Sequence, residues 1–364
     1  MDFWRREEEL MGGGEACELV GEEMATLVGN GILVGFAGQA ALSLGLSAWV
    51  FFLTTHGNMD IKNPEGSIER VIERKRMEFV SSILMIGSDI QSTLGIAYMI
   101  TAFAQIEILD TYHLRLAFDF VSFVGLSNMS ALVCWRYCRA KLEPDTKHHP
   151  GRRSQRISAR INYFEGRYRA AYIYLVLYLI LIIVLCIRLD EWAPDTEPGR
   201  CYFTNLVTSK TASHPTADKV YVAVTGSWLI IGILASVFGG VNKRRWILIQ
   251  STLQFPLRLY MSIALRQANQ GKFEGETNHE NEWDFGQTTA VLLLGIAVAE
   301  LVTKGKEYYD FEKHVAKNGI SRSESERSIQ DVEEANTNEY LLATRPSHEH
   351  TPEAGQPTRG PTAS

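Results

Sequence analysis

The sequence predicts an all-α fold: a polytopic transmembrane helix bundle of about seven spans, with the N-terminus outside and the C-terminus cytoplasmic. Three observations carry this. Between two strongly polar ends, the 364-residue chain holds seven mostly apolar stretches, each of about the 20 residues that cross ~30 Å of hydrocarbon. Lys and Arg gather in alternate connections between those stretches. The mean hydropathy of −0.07 averages these two populations and describes neither. Residues 1–28 read as an acidic extracytoplasmic tail, 29–304 as the transmembrane domain, and 305–364 as a largely disordered cytoplasmic tail.

The spans fall at residues 29–55, 79–105, 113–138, 170–189, 219–241, 246–265 and 285–303. The fourth, AAYIYLVLYLILIIVLCIRL, has no formal charge until Arg188. All are too long and too uniformly apolar for barrel strands, which need alternating segments of about 10 residues. Gly31, Gly35, Gly38, Gly45 and Pro256 fall inside spans, where packed membrane helices tolerate them. The second span carries Ser88-Asp89-Ile90-Gln91-Ser92-Thr93. The third carries Arg115, Asp119, Ser122 and Asn128, the sixth Gln250, Gln254, Arg258 and Ser262, and the seventh Glu300.

Orientation follows from the short connections. Those after the first, third and fifth spans hold 18 Lys and Arg, from Lys62 through Arg152, Arg153, Arg156 and Arg160 to Arg245. The opposite connections and the N-terminal tail hold nine, Arg115 counted among them. The richer side is expected in the cytoplasm. Met1–Leu10 (MDFWRREEEL) has no apolar core, so the first span is expected to start insertion itself. The tail's Glu7, Glu8, Glu9, Glu15, Glu18, Glu22 and Glu23 suit transfer across the membrane.

Cys17 and Cys201 both fall on the outer side, where a disulfide between them or two free thiols are the alternatives. Cys138, at the inner edge, is either a palmitoylation site or a small core residue. The segment from Lys306, KEYYDFEKHVAKNG, is charged and helix-compatible. The Ser, Glu, Thr and Pro beyond it cannot form a core. Ser321, Ser323, Ser325 and Ser328 there are either phosphorylation sites or plain solvated residues.

Polar residues in hydrocarbon are costly and must meet a partner or water. Gln250, Gln254, Arg258 and Ser262 recur every four residues and so form one stripe on one helix face. Arg258 lies about 18 Å in from Trp246, and Asp119 about 9 Å in from His113 on the antiparallel third span. Asp89 lies near the midplane. Arg258 is therefore expected to pair with Asp119 or Asp89. Together with Gln91, these residues form a candidate intramembrane polar site: Asp89, Gln91, Asp119, Gln250, Gln254 and Arg258. Two readings stay open, interhelical hydrogen bonding worth about 0.6–2 kcal/mol per contact and a ligand, ion or proton site.

No nucleophile elbow, metalloprotease helix, P-loop or dinucleotide fingerprint occurs. Gly87-Ser88-Asp89 lacks the second glycine of an intramembrane aspartyl protease motif. His148-His149 has no carboxylate or cysteine companions. Asp190, Glu191 and Asp195 can attract a cation, although such loops are usually only solvated. The Asn128-Met129-Ser130 sequon lies inside a span, and Lys304 lies at the inner rim, a poor place for a Schiff base. No catalytic residue, cofactor or metal ligand is predicted. Nucleic-acid binding is not expected, because the basic residues sit in short loops beside apolar spans.

Three places carry a resemblance. These are Ser88, Asp89, Gln91 and Gly95; Tyr112-His113 with Ser127-Asn128; and Glu282, Trp283, Phe285, Gly286 and Gln287 at the entry to the seventh span. Over residues 29–300 the chain resembles a family of uncharacterised fungal multi-spanning membrane proteins, whose members more often carry Trp at the position of Val124. The resemblance implies membrane topology and a fungal source, and brings no activity.

For function, the topology, the outer cysteines and the basic inner loops, able to dock an acidic cytoplasmic protein, suit a receptor-like sensor. The landmarks of rhodopsin-like receptors are missing: Trp135-Arg136-Tyr137 stands where an acidic-Arg-Tyr triplet would, and no Asn-Pro-x-x-Tyr occurs in the seventh span. A small-molecule or ion transporter or channel lined by Asp89, Asp119 and the sixth-span stripe is the alternative. A membrane-embedded biosynthetic enzyme using Asp89 or Asp119 as general acid is the third. The expected location is the plasma membrane or another membrane of the secretory pathway.

Overall fold

The computed structural model describes residues 17, 20–21, 24–55, 61–63, 67–142, 166–193, 199–204, 215–239, 243–273 and 283–318. Seven long helices follow a four-residue helical turn at Ala25–Val28, and no strand occurs among the described residues. The helices are α1 (Asn30–Thr55), α2 (Ile68–Ala104), α3 (Thr111–Leu142), α4 (Gly166–Asp190), α5 (Thr216–Phe238), α6 (Arg244–Asn269) and α7 (Phe285–Asn318). Six of them, all but α6, are long and apolar enough to cross a membrane. α6 has the length, 26 residues, but its polar stripe lowers its apolar content.

Several expectations fall outside the described residues: the acidic residues Glu7 to Glu15, Glu18, Glu22 and Glu23, the loop residues Arg152, Arg153, Arg156 and Arg160, His148-His149, Asp195, Glu282, and the serine tract from Ser321 to Ser328. The first compact unit, Met1–Phe311, holds the bundle, and a second begins at Glu312 within the last turns of α7.

The bundle is built around α3, which packs against α1, α2, α4, α5 and α6. Every residue of α3 from Thr111 to Arg136 is buried. This explains why its polar residues are distributed all round the helix instead of along one stripe: each face of α3 meets another helix. The surrounding helices turn apolar side chains outward, including Ile173, Val176 and Ile183 on α4, and Val224, Trp228 and Ile231 on α5, all at least half exposed. Outward apolar faces of this kind are what a lipid-facing surface requires.

Two helices outrun their apolar stretches. α2 has 37 residues, about 56 Å at 1.5 Å each, and starts at Ile68, capped where the Ser67 hydroxyl accepts from Arg70 N at 3.2 Å. α7 has 34 residues and runs through the charged segment that follows Lys304. The extensions meet where Arg76 Nε donates to the Tyr308 hydroxyl at 2.9 Å and Phe79 stacks on Tyr308 at 4.9 Å. At the same end, Arg136 donates to the Ser236 and Gly239 carbonyls that finish α5, at 2.6 and 2.9 Å. Arg244 covers the Tyr137 ring at 3.9 Å. Part of the basic charge at that end is therefore structural. Cys134 and Cys138 are buried free thiols.

The opposite end is tied covalently. Cys17 and Cys201 form a disulfide with Cα atoms 5.9 Å apart, linking the N-terminal tail to the α4–α5 connection. Asn269, at the end of α6, brackets Phe203 with two 2.7 Å hydrogen bonds, and Val20 N donates to the Lys272 carbonyl at 3.0 Å. Gly199, at φ +83°, accepts from Thr111 N through its carbonyl and faces the Asp110 carboxylate so closely that a side chain there would collide with it.

Candidate functional site

Beneath that tied end lies a buried cluster of four charges. Arg115 and Asp119 stand four residues apart on α3, so they share a face, and Arg115 Nη1 donates to Asp119 Oδ2 at 2.6 Å. Arg115 Nε lies 3.4 Å from Asp218 Oδ1 on α5. Arg258 of α6 donates through Nη1 to Asp119 Oδ1 at 3.3 Å, and the Tyr221 hydroxyl reaches that same oxygen at 3.4 Å. All four charged side chains are at most 1% exposed. Two guanidinium groups and two carboxylates sum to zero, which is how a bundle interior holds charge at all.

Local sequence explains each placement. Asp218 occupies the first turn of α5, where the helix dipole favours a carboxylate. Arg258 follows Pro256, which removes one backbone donor from α6 and loosens the helix at that level. Aromatic faces complete the box: Arg115 lies 4.7 Å from the Tyr221 ring centre, and Arg258 lies 4.9 Å from that of Phe118. Tyr178 of α4 shares a 2.8 Å hydrogen bond with Ser122, one turn below Phe118. Counting from the tied end, Asp218, Arg115, Asp119 and Arg258 descend from about 3 Å to about 17 Å along their helices.

The box is not fully saturated. Arg258 Nε and Nη2, Asp218 Oδ2 and the Gln254 carboxamide oxygen make no hydrogen bond among the described residues. Just above, outside the helices, burial pushes the Tyr202 phenol well above its ordinary value, and the neighbouring Asp218 adds to this.

The structure divides the sequence-derived set. Asp119 and Arg258 come together, so the carboxylate that meets Arg258 is that of Asp119, and Gln254 is buried one turn away on α6. Asp89 stands on the exposed face of α2, because one residue on either side of it the helix has already turned toward the core or along its edge. Gln250 is part-exposed and donates to the Trp228 carbonyl at 2.8 Å, bridging α6 to α5. Gln91 belongs to a second polar set: it accepts from Ser127 and donates to the Phe36 carbonyl at 3.3 Å, while Ser88 donates to Asn128 at 3.0 Å. That set joins α1, α2 and α3.

Sequence reasoning missed two members of the box. Arg115 counted as a loop cation, although its spacing from Asp119 marked the pair. Asp218 lay one residue before the assigned start of the fifth span, and nothing local marks it as buried. Among the described residues, no group of three His, Cys, Asp or Glu is placed to hold a metal ion. Comparison with family models, with curated proteins and with solved structures finds no match to this chain.

Proposed function

We propose that this protein is a receptor-like membrane sensor, a seven-span bundle with its disulfide-tied end outside, in the plasma membrane or another secretory-pathway membrane. The resemblance to fungal multi-spanning membrane proteins accords with this reading. α6 counts as a span, which brings the number to seven, because its polar residues Gln254 and Arg258 are buried while Trp246, Leu253 and Tyr260 face outward. The Lys and Arg asymmetry supports the orientation, and exposed Arg139, Lys243 and Arg245 at the inner end suit an acidic cytoplasmic partner.

The observation that carries the reading is the incomplete charge box. A buried ionic cluster adds little stability over apolar packing and is best accounted for as a register or switch device. Here Arg258 is held by Asp119, yet Asp218 Oδ2 and Arg258 Nε and Nη2 make no hydrogen bond among the described residues. A shift of α6 against α3, hinged at Pro256, makes or breaks the contact of Arg258 with Asp119. The two arrangements, with the contact made and with it broken, are the bistable element that a signal at the outer end can bias.

The test is a distance measurement between spin labels at the inner ends of α5 and α6, in lipid nanodiscs. Asp119→Asn, which weakens one of the two arrangements, is expected to shift the distance distribution toward a second population. An unchanged distribution with only a lower melting temperature refutes the switch. A transporter built on the same box is the second reading, favoured by the unpaired Arg258 nitrogens, which suit an anionic cargo. Anion flux in proteoliposomes that disappears in Arg258→Gln decides for it.

A further inference from the structure

A second feature, on the other side of α3, is independent of the sensor reading. α1 and α7 touch at three glycines: a Cβ on Gly31, Gly35 or Gly38 would come within 2.6, 2.7 and 2.7 Å of Gln287, Ala290 and Leu294 respectively. Gly31 N also donates to Gln287 Oε1 at 3.0 Å. Beyond these contacts a crevice lies between α1, α2 and α7, bounded by Gln39 and Ser43, by Ile83 and Gly87, and by Ala297 and Glu300. A Cβ on Gly87 would meet nothing within 4 Å, so this glycine leaves space that no neighbour fills.

Gln39 is the unusual residue. It is 4% exposed, and neither its amide nitrogen nor its carbonyl oxygen makes a hydrogen bond among the described residues. A buried carboxamide without partners is costly. Ser43, one turn along, already donates to the Ser127 carbonyl at 3.4 Å. The remaining wall is apolar, with Leu42, Leu46 and Leu301. By rise, Gln39 lies about 14 Å along α1 and Ala297 about 18 Å along α7, depths at which the crevice opens on hydrocarbon and not on water.

We propose that this crevice binds an uncharged lipid alcohol taken from the bilayer, whose hydroxyl donates to Gln39 Oε1 and accepts from Nε2. A hydroxyl matches a carboxamide because both can donate and accept. A phosphate head finds no cation on the crevice wall, and the exposed Glu300 carboxylate at its edge repels one. A permanently charged head at that depth carries a large desolvation cost. The apolar body of the ligand lies along Leu42, Leu46 and Leu301. Sterols and diacylglycerols share this chemistry.

Photo-crosslinking of the full-length protein in phosphatidylcholine nanodiscs tests the proposal, with a diazirine sterol and a diazirine diacylglycerol as separate probes. Labelling by at least one probe is expected to map to residues lining the crevice and to be competed by the matching unlabelled lipid, which also separates the two sources. Gln39→Leu, close in volume and without the hydrogen-bonding groups, should weaken saturable labelling by about tenfold. Gly87→Leu should abolish it by occupying the space, and Gly87→Ala, which adds one methyl to open space, provides a folded variant with reduced labelling if the larger residue fails to fold. Labelling elsewhere, or labelling that Gln39→Leu and Gly87→Ala both leave unchanged, overturns the proposal. So does the absence of saturable labelling together with a higher melting temperature in Gln39→Leu, the signature of a carboxamide satisfied by water alone.

Discussion

The charge box makes a quantitative prediction through a double-mutant cycle between Asp119 and Arg258. In Asp119→Leu, Arg115 keeps Asp218 at 3.4 Å, while Arg258 loses its carboxylate and stays fully buried. An uncompensated buried guanidinium costs about 3–5 kcal/mol. In Arg258→Met, Asp119 still accepts from Arg115 at 2.6 Å and from Tyr221 at 3.4 Å, so the loss is smaller, about 1–3 kcal/mol. In the double variant the remaining Arg115–Asp218 pair is charge-balanced. Its cost should fall below that of Asp119→Leu alone, with a coupling energy of about 1–3 kcal/mol. At about 2 °C of melting temperature per kcal/mol, Asp119→Leu should melt about 6–10 °C below wild type, with the double variant between the two. Intrinsic tryptophan fluorescence of the purified protein in one detergent, at one heating rate, reads all four corners of the cycle. A double variant that melts below wild type by the sum of the two single losses, and so lower than Asp119→Leu, would show that the two side chains act independently and would refute the ionic account of the box.

Other perturbations bear on the rest of the fold. Cys17→Ser opens a loop of 184 residues, worth about 5 kcal/mol at most in the chain-entropy model; it should lower the melting temperature as much as reductant lowers that of wild type, and reductant should not lower the variant further. Gly35→Leu drives a side chain into the Ala290 backbone, 2.8 Å from where its Cβ would stand, so α7 should become sensitive to limited proteolysis at a cost of about 1–3 kcal/mol; resistance equal to wild type would contradict the close contact. Gln91→Leu breaks the set that joins α1, α2 and α3 and leaves Ser127 Oγ without its Gln91 acceptor, at an expected loss of about 1–3 kcal/mol. Asp89→Asn, on the exposed face of α2, should change stability by less than about 0.5 kcal/mol; a loss comparable to that of Asp119→Leu would mean that Asp89 lies in the interior.

What the sequence determined by itself was whatever is local. Runs such as residues 170–189 have to be helical, because a chain in hydrocarbon must satisfy its own backbone donors and acceptors. The fourfold spacing from Gln250 to Ser262 marks one face of α6 wherever that helix stands. Helix ends were less legible: α2 and α7 continue well past their apolar stretches, because Ser67 caps the first at Ile68 and Tyr308 on the second packs against Phe79 and Arg76. Tertiary structure alone decided which carboxylate meets Arg258, that α3 is enclosed on every face, that Asp218 joins the box while Asp89 stands outside it, and that Gln39 lines a crevice without a hydrogen-bond partner among the described residues. Each of these depends on how a helix is rotated about its own axis and on which helices flank it. A rotation of 100° per residue exchanges one neighbour for another, and only the packing of all the helices together fixes that angle.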